Sequence, residues 1–141
     1  MCNVNEELSW FEYRVRSHPH HTDYAGVVWH GAWMEEARVE CLRSRGFDFT
    51  DLVAWGLDLP VVDLCLRYHR SLRMGMEVIV KTRMSAIKGV RLIWDYQICS
   101  ADGPDLYVTG KMTLVAIDRE KGKIMRHLPP ELRDALEQLS A

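Results

Sequence analysis

The chain has no apolar run longer than a few residues, so nothing in it can span a membrane as a helix. It also lacks any surplus of positive charge. Its 18 Lys and Arg stand against 20 Asp and Glu, interspersed throughout, which excludes a strongly basic face for nucleic acid. Cysteine is sparse, and the thiols at positions 2, 41, 65 and 99 form no CxxC pair and follow no regular spacing. The opening residues "MCNVNEELSW" have neither the basic nor the apolar region of a signal peptide. Free thiols in a reducing cytoplasm, and a core that needs no disulfide, are the expectation. Internal repeats and low-complexity linkers are missing too, so no solenoid or second module is indicated.

What is present fits a single domain over 1–141, since 141 residues at 48% hydrophobic content are enough for one core and too few for two. Alternation with period two recurs along the chain. Phe11, Tyr13 and Val15 alternate with Glu12, Arg14 and Arg16, predicting a first strand over about 8–17 with one buried face. The same alternation marks Val62, Leu64, Leu66 and Tyr68, then Met76 to Met84, then Leu92, Trp94, Tyr96 and Ile98, and last Leu106 to Ala116. "KGVR" and "ADGPD" separate the last three runs and suit hairpins, so the four later strands are expected to form an antiparallel meander.

One segment breaks the strand pattern. Good helix formers dominate "GAWMEEARVECLRSR" (31–45), and at 100° per residue Trp33, Met34, Ala37 and Cys41 share a face opposite Glu35, Glu36 and Glu40. Gly46 supplies a stop. A weaker turn is expected in "FTDLVAWG", and "PPELRDALEQL" reads as a closing helix with Pro130 in its first turn. A sheet with one apolar face and a helix with one apolar stripe satisfy each other's need for burial, which makes the fold class α+β.

The stretch "HPHHTDYAGVVWH" places four of the six histidines and one aspartate just ahead of that helix. His18, His20 and His21 invite a zinc hypothesis, with Asp23 as a further ligand. The spacing opposes it, because His20 and His21 are adjacent and point to opposite sides of an extended segment, and no Cys pair is available to complete a site. A lone Asp in a Gly-containing segment before a helix is, on its own, more often a cap or turn residue than a catalyst.

Two motifs change that weighing. "TDYAGVVWHGAWMEEAR" resembles the loop and helix start of the hotdog-fold acyl-CoA thioesterases of the 4-hydroxybenzoyl-CoA thioesterase type, near the Tol-Pal-associated acyl-CoA thioesterases. "RYHRSLRMGMEVIVKTRM" resembles the same family's second-to-third strand connection, with Ser71 where a proline is usual and Met76 where an acidic residue is usual. The resemblance implies a five-stranded antiparallel sheet wrapped around a central helix, and hydrolysis of an acyl-CoA to the free acid and CoA without a cofactor or metal.

The resemblance assigns Asp23 as nucleophile or general base and gives His30 an assisting role at the carbonyl or leaving sulfur. Gly26 permits a tight turn with close backbone approach. Gly31 opens the helix whose unpaired amides, at the positive end of its dipole, would hold the oxyanion together with His30. Trp29 and Trp33 are candidates for an acyl pocket, although large aromatics at helix starts serve as core plugs as often. Cys41 falls on the apolar helix face and reads as core. The resemblance further implies a homodimer or homotetramer with the cleft between subunits. A non-hydrolytic acyl-CoA or acyl-carrier binding protein on the same fold is the alternative, and Asp23 is the residue that distinguishes them.

Overall fold

A computed structural model describes residues 10–16, 31–73 and 75–139. The predicted alternation at the start becomes strand β1 (Phe11–Arg16), with Phe11, Tyr13 and Val15 half-buried and the charged residues between them exposed. Helix α1 (Gly31–Ser44) and the six-residue helix α2 (Phe49–Ala54) follow. Then come β2 (Leu57–Asp58), β3 (Val61–Tyr68), β4 (Glu77–Lys88), β5 (Arg91–Ser100), β6 (Leu106–Val115), β7 (Ile117–Asp118), β8 (Lys123–Ile124) and helix α3 (Pro130–Leu139).

Five long strands make one antiparallel sheet in the order β1-β4-β5-β6-β3. The α+β class and the sheet-on-helix architecture are as predicted. The meander holds for β4, β5 and β6, joined by a short turn at Gly89 (φ 66°) and by residues 101–105. β3 departs from it. One edge of β4 is taken by β1 and the other by β5, so β3 crosses to the far side of the sheet and pairs with β6, Leu64 opposite Met112 and Tyr68 opposite Val108. Gly110 makes that edge possible, since a Cβ there would stand 2.5 Å from Leu66 Cδ2 and 3.2 Å from the Cys65 carbonyl oxygen. The two-residue strands β2, β7 and β8 form a separate small sheet, too short for periodicity to reveal.

The core lies where α1 meets the sheet. Trp33, Met34, Ala37 and Cys41 are buried as the helical stripe requires, while Glu35 and Glu36 stay exposed. Opposite them Val78, Val80, Met84, Leu92, Trp94, Tyr96, Ile98 and Leu114 are all within 1% of complete burial. At about 1.5–3 kcal/mol for each large apolar side chain removed from water, this contact is the main source of stability. α1 ends as Gly46 (φ 89°) takes the left-handed conformation, with Phe47 N–H donating to the Leu42 carbonyl and Gly46 N–H to that of Arg43, both at 3.0 Å. Leu132 and Leu136 bring α3 onto the same core.

Cys41 and Cys99 are free thiols, but Cys65, on exposed β3, is disulfide-bonded, which corrects the expectation of free thiols throughout. No helix among the described residues is long and apolar enough to cross a membrane.

Candidate active site

α1 is described from Gly31 onward, and its first turn carries no acidic side chain. The leading amides of a 14-residue helix are unpaired within it and sit at the positive end of its dipole, so they suit a carbonyl oxygen acquiring negative charge. Asp23, Gly26, Trp29 and His30 lie outside the described residues, as do His18, His20 and His21. What the structure supplies for the predicted site is therefore the helix start at Gly31 and the ground on which it stands.

Trp33 is completely buried in the core and lines neither of the cavities described below, consistent with a plug beneath the helix start. Cys41 is buried as well. Burial pushes its thiol up to about 11, so almost none is thiolate at neutral pH and a Cys nucleophile has no support.

Along the flank of α1 runs a cavity of about 390 Å³. On α1 it extends from Glu35, just past the first turn, to Leu42, and it is closed by Phe47, Leu52, Pro60, Ile117 and the α3 residues Leu132 and Leu136. Its walls are chiefly apolar and its size falls in the usual range for small-molecule sites. Arg38 is the basic residue in that lining. The Arg38 guanidinium is half-buried and donates to the Met112 sulfur at 3.1 Å. Tyr96, fully buried beneath α1, is influenced by the same cation, yet desolvation prevails and its phenol is pushed up to about 12. Nothing in the sequence marked Arg38 beyond its helical position; a cation set between buried Ala37 and half-buried Val39 was the available sign.

A second, smaller cavity of about 130 Å³ sits at the other end of α1, lined by Trp10, Cys41, Ser44, Arg45 and Arg83 among others. There Arg83 is buried against Asp95, Nε to Oδ2 at 3.5 Å, with Trp10 stacked 3.8 Å from the guanidinium carbon. Ser85 and Lys111 also reach Asp95, at 3.3 and 3.9 Å. This cluster lies at the negative end of the helix dipole and holds its one carboxylate between two cations, so it suits a structural role rather than oxyanion chemistry.

A five-stranded antiparallel sheet laid on one central helix is the architecture of the hotdog fold. The profile of the thioesterase-like superfamily matches residues 17–136, and the chain belongs to that superfamily, whose general chemistry is thioester hydrolysis. The Synechocystis protein sll0410, provisionally assigned as an esterase, is 58% identical over 133 residues, covering 92% of this chain and 80% of that protein. The Escherichia coli acyl-CoA thioester hydrolase YbgC is 27% identical over 125 residues, covering 86% of this chain and 92% of its own. Among solved structures, the DHNA-CoA thioesterase of Staphylococcus aureus superposes with a TM-score of 0.82 at 28% identity, over 92% of this chain and 89% of that one.

Proposed function

We propose that the chain hydrolyses an acyl-CoA thioester to the free acid and CoA, with Asp23 as the reacting carboxylate. The observation that carries this reading is the start of α1 at Gly31, a few residues after Asp23, within the span that matches the superfamily. The names of YbgC and of the S. aureus enzyme support a CoA thioester as the substrate. The thioester carbonyl would lie against the first amides of α1, Gly31 giving the backbone room to approach. Asp23 either attacks the carbonyl carbon, forming a mixed anhydride that water then opens, or takes a proton from the attacking water. In both cases the C–S bond breaks and CoA leaves as a thiolate. His30 assists by donating to the carbonyl oxygen or the departing sulfur, and Gly26 shapes the turn. Trp29 is left as the pocket aromatic next to the site. The reaction needs no cofactor or metal, and a cytoplasmic enzyme would meet its CoA thioester there.

The active form is a homodimer, or a pair of such dimers. β3 supports this: it is a sheet edge on which Val61, Val62, Leu64 and Tyr68 are 44%, 50%, 44% and 58% exposed. An eight-residue edge strand that exposes four large apolar side chains invites uncontrolled pairing if left open, and a second copy of β3 running antiparallel would close it. Thiol release from a panel of acyl-CoAs tests the activity. Turnover that survives a chelator is expected; tight acyl-CoA binding without thiol release would favour the non-hydrolytic binding protein instead.

A further inference from the structure

We infer that Cys2 and Cys65 form a disulfide, and that this bond straps the segment before β1 across the outer face of the sheet as a redox-sensitive clamp on β1. The cysteine count identifies the partner. The chain has cysteines at 2, 41, 65 and 99; Cys41 and Cys99 are free thiols and Cys65 is disulfide-bonded, so the cysteine left to pair with it within one chain is Cys2. Cys2 lies outside the described residues, whereas the row of side chains that its segment would cross lies within them.

Arg83 stands opposite Asp95 in the ladder, Asp95 opposite Lys111, and Lys111 opposite Cys65, so these four side chains form one row on one face. Trp10, just before β1, extends the row by stacking 3.8 Å from the Arg83 guanidinium carbon. The row thus runs from the β1 edge of the sheet to the β3 edge. It faces away from α1, because the flanking Met84, Trp94 and Tyr96 point the other way, into the core. On this outer face Arg83 and Asp95 are nevertheless only 2% and 0% exposed. A charged pair held so far from water needs a cover; Trp10 supplies it at the Arg83 end, and the chain immediately before Trp10 can continue it. Length permits this. Four strand spacings of about 4.8 Å put Cys65 about 19 Å from Trp10, while the eight steps from Cys2 to Trp10 span up to about 26 Å. Charge fits as well, since "NVNEELS" (3–9) brings Glu6 and Glu7 and no cation to a row that holds two cations for one carboxylate.

Cys65 is exposed on β3, where small thiols and disulfides can reach it. To close the bond, the thiolate of one cysteine attacks a low-molecular-weight disulfide and releases one small thiol, and the other cysteine then displaces the second. Two protein thiols and one small disulfide become one protein disulfide and two small thiols, and a dithiol reverses the exchange. In a reducing compartment an exposed bond of this kind follows the redox poise instead of acting as a permanent staple. Closed, it ties the start of β1, a six-residue edge strand paired with β4, to the opposite edge of the sheet. Opened, it leaves β1 with its pairing to β4 and its packing on α1.

The whole chain, equilibrated with oxidised glutathione, trapped at acidic pH and digested without reductant, is expected to give a linked peptide joining Cys2 to Cys65, with Cys41 and Cys99 alkylated. A Cys65-to-Cys65 link between two copies, or four alkylated thiols, would overturn the inference. Dithiothreitol is expected to lower the Tm of wild type by about 5–15 °C and to speed amide exchange in β1 at least about tenfold more than in β5. Cys2→Ser should show the reduced values with or without dithiothreitol, and Cys99→Ser should respond as wild type does. A Cys2→Ser protein that still responds to dithiothreitol would remove Cys2 as the partner, and a linked peptide whose reduction leaves β1 exchange unchanged would remove the clamp.

Discussion

β5 and β3 carry the same sequence pattern and meet different fates. Leu92, Trp94, Tyr96 and Ile98 alternate on β5 and are buried to within 1%, each covered by α1 or by a neighbouring strand. Leu64, Leu66 and Tyr68 alternate on β3 and leave most of that strand in solvent. The difference is one of place. β5 is flanked by β4 and β6, whereas β3 has β6 on one side and an open edge on the other. Alternation reports which face a strand wants to bury, and it does not report whether the chain alone can bury it. Apolar content at an open edge is what the proposed homodimer would cover.

The most damaging way to test that contrast is to truncate on the buried side. Trp94→Ala removes a fully buried indole from the centre of the sheet and should cost about 3–5 kcal/mol, read as a fall in the urea midpoint at unchanged m-value. The equivalent insult on the open side should act on association instead. Leu64→Arg is expected to convert the dimer to monomer in sedimentation while changing the chain's own stability by about 1 kcal/mol or less. A Leu64→Arg protein that remains dimeric would mean that β3 is not the subunit boundary.

A smaller effect concerns pH. Cys41 and Tyr96 have ordinary values of 9.0 and 10.0 and are pushed up to about 11 and about 12, in each case first by burial. The folded state resists their ionisation and the unfolded chain does not, so their contribution is complete below about pH 9 and is lost as pH rises toward 11 and 12. Cys41→Ala should therefore flatten part of the alkaline decline in Tm, which a melting series from pH 8 to about 11 would read. Smallest of all is the pair of surface contacts from Arg14 and Arg16 to Glu77, at 2.8 and 3.1 Å. The Arg14 hydrogen bond holds that carboxyl below its usual range, but the group is open to water, and Glu77→Gln should leave Tm almost unchanged at physiological salt.

Much of this architecture is legible in the sequence because the buried stripe and the strand period are strong, local patterns. α1 stops before Gly46 as its composition requires, and β1, β3, β4, β5 and β6 fall on their alternating runs. The place of β3 in the sheet was not legible, because pairing is decided by which edges remain free after β1 takes β4. The two-residue strands β2, β7 and β8 are too short to show a period. As for the site, Asp23 is put forward by the resemblance of the segment around it, residue types alone reading it as a cap, while the cavity and Arg38 arise only where α1, α2 and α3 converge. No local pattern encodes that convergence.

The central claim is that Asp23 does the chemistry at the start of α1, and kcat for Asp23→Asn on the preferred acyl-CoA tests it most directly. Asparagine keeps the size and some of the hydrogen bonding but can neither attack a carbonyl nor accept a proton near neutral pH. A folded, dimeric variant should lose about 10²–10⁴-fold in kcat if Asp23 is a general base, and at least the upper end of that range if it is the nucleophile. Near-normal kcat/KM in the same folded dimer would contradict the account and return Asp23 to the role of a cap ahead of the helix.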